Sequence, residues 1–90
     1  LQKKSGDTWI YNYPNPFVES TTVKYASNGR HVRISVLDTQ AREISVLVDE
    51  DKSEGEHTTI LNASSMTPGV YYLQYQSEDV MQSRSVVKIR

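Results

Sequence analysis

The stretch Thr67-Pro68-Gly69-Val70-Tyr71-Tyr72-Leu73-Gln74-Tyr75-Gln76 decides the fold class. A Pro-Gly turn punctuates the chain, and the residues after it alternate with a period of two. Tyr71, Leu73 and Tyr75 share one face and Tyr72 takes the other, the pattern of a half-buried strand. On both sides the same pattern recurs in short runs. Thr21 to Ala26 is β-branched and aromatic, with Val23 and Tyr25 together on one face. Arg30 to Leu37 alternates cleanly: Val32, Ile34 and Val36 face one way, Arg33 and Ser35 the other. Glu43 to Val48 and His57 to Leu61 are further strands, although Ile44, Val46, Leu47 and Val48 do not settle a register. Val80 to Ile89 closes the chain.

Trp9-Ile10-Tyr11 begins a first strand that Pro14 and Pro16 cut short. Proline cannot donate to a ladder, so this segment is an edge or a crossing connection. Asp49 to Glu56 reads as a loop. Asn62-Ala63-Ser64-Ser65-Met66 forms at most one turn, capped by Asn62 and ended by Pro68, and serves as a crossover between sheets. About seven short strands at roughly ten-residue spacing, with no helical period, predict an all-β fold: an immunoglobulin-like antiparallel β-sandwich.

Ninety residues are enough for one domain, burying roughly 60–65% of the surface of the unfolded chain. Residues 1–8 are polar and read as a linker; residues 9–90 form the domain. The first residue is leucine, so the expectation is a piece of a longer precursor that carries any export signal itself. Ten basic and eleven acidic residues nearly cancel, so no global field attracts nucleic acid. No apolar run is long enough to cross a bilayer as a helix. Cysteine is absent, which removes disulfides and thiolate metal sites.

Candidate chemistry is sparse. His31 and His57 sit on separate strands without a third ligand, a poor zinc site. Asp49 to Glu54 resembles a calcium loop but lacks glycine at the sixth position, and Ile60 stands where the bidentate acid belongs. There is no nucleophile elbow and no glycine-rich phosphate loop. No catalytic residue, metal or cofactor is expected. Trp9 and six tyrosines make glycan stacking conceivable, but Tyr71, Leu73 and Tyr75 read as core. A carbohydrate-binding or structural immunoglobulin-like accessory module, such as a hook-capping domain with its similar Pro-Asn-Pro opening, is the alternative reading.

Six pieces, in order, carry a family resemblance. They are Tyr13-Pro14-Asn15-Pro16-Phe17, Thr22-Val23-Lys24-Tyr25, Val32 to Asp38 with Arg42-Glu43-Ile44, Gly55-Glu56-His57-Thr58, Ser64 to Tyr71, and the basic-aliphatic Arg84 to Arg90. Together they resemble the C-terminal sorting domain of type IX secretion, found on exported proteins of Bacteroidetes-type bacteria. Ala41 stands where that family usually carries glycine, a residue that supplies positive φ. Asn62 replaces a more usual Asp, and Ser85 a common basic residue.

The resemblance implies a signal that carries a passenger from the periplasm through an outer-membrane translocon to the surface or medium. Its implied partners are the translocon and its shuttle proteins, a sortase-like surface peptidase, and an upstream passenger in the same chain. It marks Gly69, Val70, Tyr71, Lys88, Ile89 and Arg90 as recognition residues and Tyr13 to Phe17 as the domain start. A last strand at a sheet edge offers unpaired backbone groups for strand addition by a receptor, or by a second copy as an edge-strand dimer.

Overall fold

The computed structural model describes residues 8–78 and 80–90. Residues 1–7, most of the expected linker, lie outside the described residues. The elements are β1 (Trp9–Tyr13), β2 (Ser20–Ser27), β3 (His31–Leu37), β4 (Glu43–Asp51), β5 (Gly55–Asn62), β6 (Gly69–Ser77) and β7 (Val80–Lys88). They form a three-stranded sheet, β1-β2-β5, and a four-stranded sheet, β4-β3-β6-β7, every pair antiparallel. The sheets pack face to face as a sandwich. β1 is indeed an edge strand, and both prolines that follow it have cis peptide bonds.

The core follows from the alternation. Val23 and Tyr25 of β2, with Leu61 of β5, face Val32, Ile34 and Val36 of β3 and Tyr71, Leu73 and Tyr75 of β6, all buried. Removing a side chain of this size from water is worth about 1.5–3 kcal/mol, which is what holds two small sheets together. Tyr75 keeps its hydroxyl satisfied by donating to the Ala26 carbonyl at 2.9 Å, a bond that spans the two sheets. The Asn62 to Met66 segment crosses between them in a single turn. Ser64 N and Oγ donate to Asn62 Oδ1, and Met66 N to the Ala63 carbonyl.

β4 departs from the sequence expectation in two ways. Its register against β3 shifts twice, between Ile34 and Ser35 and again between Val36 and Leu37. Each bulge inserts an extra residue and resets which side chains face inward, so no single alternation fits Ile44 to Val48. In addition, Asp49 to Asp51 belong to the strand, and only Lys52 to Glu54 remain as the connection to β5. The reason is cross-strand charge. His31 pairs opposite Asp51 and Arg33 opposite Asp49, so the acids that suggest a loop meet a histidine ring and a guanidinium on β3.

The β3–β4 hairpin turns on Asp38. Its Oδ1 accepts from the Gln40 and Arg42 amides, both at 2.9 Å, and its Oδ2 accepts from Arg42 Nε at 2.8 Å. The Arg42 amide above all holds the Asp38 carboxyl below the usual carboxylate range. The turn places Ala41 at φ +66°, a left-handed conformation that costs an L-residue about 1–2 kcal/mol. Replacing Ala41 with glycine relieves this while adding some freedom to the unfolded chain. Ala41→Gly should therefore stabilise the domain by about 0.5–1 kcal/mol, read as a melting-temperature rise of about 2–8 °C. A lower melting temperature would refute this account of the turn.

Candidate functional site

The domain-start motif and the expected recognition tail come from opposite ends of the chain, and the fold joins them. After β1 the chain turns through Pro14 and Pro16 and runs along the outer edge of β7. Phe17 N donates to the Val87 carbonyl at 3.0 Å, and Ile89 N donates to the Phe17 carbonyl at 2.8 Å. Asn15 adds both ends of its amide: Oδ1 accepts from Val87 N at 3.0 Å, and Nδ2 donates to the Ser85 carbonyl at 3.3 Å. This short parallel contact drives the Phe17 ring, 1% exposed, into the core. The motif that opens the domain thus clasps the segment that ends it.

The clasp changes how β7 presents itself. β7 is an edge strand, as anticipated, but the outward backbone groups of its second half are already engaged. Outward groups alternate, so those at Met81 and Ser83 face the same side as those at Val87. Among the described residues no strand covers Met81 and Ser83, and both are exposed. Any strand addition is therefore confined to the first half of β7, away from the basic tail.

The tail residues also sort by direction. Lys88, 4% exposed, points inward, and its Nζ donates to the Val18 carbonyl at 2.7 Å and the Arg90 carbonyl at 3.3 Å. It is an anchor for the clasp, whereas Ile89 and Arg90 are exposed. Gly69 pairs with Lys88, and Val70 with Val87, so the internal element lies directly beside the tail. Tyr71 faces the core, where its hydroxyl donates to the Thr67 carbonyl at 2.5 Å and fastens the turn. Val70 is exposed on the opposite face. Gly69 has φ +152°, a backbone state that favours glycine. A cleft of about 630 Å³ runs between this turn and the Asp38 hairpin, with Met66 and Ile44 in its walls. Most of the expected motif pieces therefore share one pole of the sandwich.

Gly55 and His57 do not join them. Gly55 pairs with Ser27 at the far pole, and the His57 ring stacks on Tyr25 at 5.5 Å. That pole holds a cluster the sequence did not disclose. His31 lies between two carboxylates, with Nε2 2.6 Å from Asp49 Oδ1 and Nδ1 2.9 Å from Asp51 Oδ1. The acids are 18 and 20 residues away in sequence, and only the β3–β4 pairing brings them together. Asp49, then Asp51, raises the His31 pKa above its ordinary 6.5, and His31 in turn lowers that of Asp49. Among the described residues no group of three or more His, Cys, Asp or Glu is arranged to hold a metal ion.

A tie of buried polar groups supports the clasp. Asn12, 3% exposed, donates from Nδ2 to Thr21 Oγ1 at 3.1 Å, and Thr21 donates to the Pro14 carbonyl at 2.7 Å. Asn12 Oδ1 accepts from Arg84 Nε at 3.1 Å, linking β1 to β7 across the open side of the sandwich. Burial of Asn12 and Thr21 makes these bonds costly to break from their side, because either residue would be left with an unsatisfied polar atom.

A family model described as the secretion system C-terminal sorting domain matches residues 11–89, nearly the whole chain. No curated protein matches it.

Two outcomes follow from this geometry. Asn15→Ala removes two bonds to β7 and should cost about 1 kcal/mol, with faster amide exchange at Val87 and unchanged exchange at Leu73 in the core. Unaltered exchange at Val87 would contradict the clasp. For His31, the raised pKa means a contribution present in full below about pH 6.5 and lost as the pH climbs through the folded value. Asp49, with its lowered pKa, contributes above its ordinary 3.8 and loses this as the pH falls. The stability gap between the parent and His31→Gln should thus be widest between the ordinary values of 3.8 and 6.5 and shrink as the pH rises above 6.5. An NMR titration placing the His31 pKa at or below 6.5 would exclude it.

Proposed function

The chain belongs to the secretion system C-terminal sorting domain family, whose members are sorting signals of type IX secretion, and on that premise we propose that the clasped pole is the surface the machinery reads. The family is not one of enzymes, and its signal implies a passenger, a secretion machinery and export to the cell surface or medium. The domain would carry its passenger from the periplasm across the outer membrane by presenting Val70, Ile89 and Arg90 together. Gly69, Tyr71 and Lys88 hold that surface from beneath. Tyr13 to Phe17 act as the strap that keeps β7 in place rather than as a contact for the receptor. Removal by a surface peptidase would fall before Trp9, where the ladder begins, leaving the sandwich intact.

The observation that carries this reading is the bonding of Asn15 and Phe17 to Ser85, Val87 and Ile89. It couples the tail to the fold, so a receptor that reads the tail also reads whether the domain is folded. The alternative in which a receptor pairs with the whole of β7 is disfavoured, because the Val87 and Ile89 groups it needs are taken.

An export assay tests the reading. The 90 residues are fused behind a Sec-exported inert fluorescent reporter in a bacterium that has the type IX route. Deleting Val86 to Arg90 should leave the reporter in the periplasm. That deletion also removes core and clasp, so the double substitution Ile89→Ser and Arg90→Glu, both at exposed positions, is measured beside it. The double variant should melt within about 2 °C of the parent, as surface changes do, yet export at least about tenfold less. Undiminished export of both variants would sink the proposal.

A further inference from the structure

The three-stranded sheet has an outer face unlike the rest of the surface. β1 directs Trp9, Tyr11 and Tyr13 to that side, one every second residue, at a repeat of about 6.6–6.8 Å. Trp9 and Tyr11 sit with ring centroids 5.6 Å apart and planes tilted by 31°. Tyr11 is 41% exposed and Tyr13 75%. The core-like placement of the tyrosines on β2 and β6 concealed this row: Tyr25, Tyr71 and Tyr75 are core, but the β1 aromatics are not.

Beside the row lies a groove of about 750 Å³, between Tyr11 and Tyr13 on one side and the Pro14–Pro16 turn on the other. Its volume is that of a typical ligand site. Lys24 and Arg84 line it, and no carboxylate does. Lys24 pairs opposite Tyr11 on β2. Arg84 is aimed by Asn12, which is buried and itself fixed by Thr21. A single Nε bond to Asn12 leaves the terminal nitrogens of Arg84, among the described residues, for something else.

From this combination we propose that the groove binds a short anionic oligosaccharide. The apolar C–H faces of sugar rings stack on the aromatic row, while carboxylate, sulfate or phosphate groups on the sugar meet Lys24 and Arg84. An extended acidic peptide would match the charge but not the flat apolar platform. It would need backbone partners, and the edge of β1 is screened by Gln82 and Arg84, which bond to Thr8 and Asn12.

Trp9, the chain's one tryptophan, lies outside the groove lining but packs against Tyr11, so its fluorescence reports binding through that ring. The 90-residue chain is titrated with tetragalacturonate and with a heparin tetrasaccharide, and in parallel with neutral cellotetraose and a tetraglutamate peptide. At least one anionic sugar should give a saturable change that weakens as salt is raised. Tyr13→Ala and Lys24→Gln should each weaken it about tenfold. Ile60→Ala, on the same face but outside the groove, should leave it unchanged. Circular dichroism checks that each variant is folded. Three results would overturn the proposal: neither anionic sugar binds at millimolar concentration, cellotetraose binds as tightly, or tetraglutamate does. Binding that survives Tyr13→Ala in a folded variant would place it elsewhere and overturn it too.

Discussion

Two backbone hydrogen bonds, Phe17 N to the Val87 carbonyl and Ile89 N to the Phe17 carbonyl, close this structure. A seven-stranded sandwich without disulfides leaves strand edges open, and edges are where such folds fray or pair with the wrong chain. Here the segment leaving the first strand returns along the edge of the last. Because Phe17 is bonded through both its N–H and its C=O, its backbone is fixed to β7 with the ring buried between the sheets. Hydrogen bonding and hydrophobic burial are therefore the same event at this point. The Asn12, Thr21 and Arg84 tie performs the polar half of the task a few residues away.

This coupling explains why the residues that resemble a signal fall into two kinds. Lys88 and Tyr71 spend their polar atoms on carbonyls inside the domain and position their neighbours. Val70, Ile89 and Arg90 face water and are available to a partner. A buried lysine is unusual, since desolvating an ammonium is costly without acceptors. Val18 and Arg90 supply those acceptors as main-chain carbonyls, so the requirement at position 88 is for reach and donors rather than for surface charge.

The sequence was legible where alternation was uninterrupted. β6, β3 and β2 each show inward apolar residues at every second position, and the fold class follows from them. It was illegible where the pattern depends on a partner strand. The two bulges in β4 are properties of its pairing with β3, and no local rule signals them. Asp49 to Asp51 look like a loop until His31 and Arg33 are placed opposite. The exposure of the β1 aromatics could have been read from the prolines that make β1 an edge, since an edge strand of a three-stranded sheet has one wet face. The inward turn of Lys88 had no local signal: Val87 and Ile89 make the more apolar parity at the end of the chain, yet the fold buries Val86 and Lys88 and leaves Ile89 exposed.

β1 and β7 run side by side in the same direction, with Thr8 beside Gln82 at one pole and Phe17 beside Lys88 at the other. A load applied between Thr8 and Ile89 therefore lies along the strands rather than across them. Bonds loaded this way share the force and must yield together, whereas bonds peeled from an end yield one at a time. A domain towed by its tail with a cargo behind it would resist extension mechanically, and the Phe17 clasp sits where that tension enters.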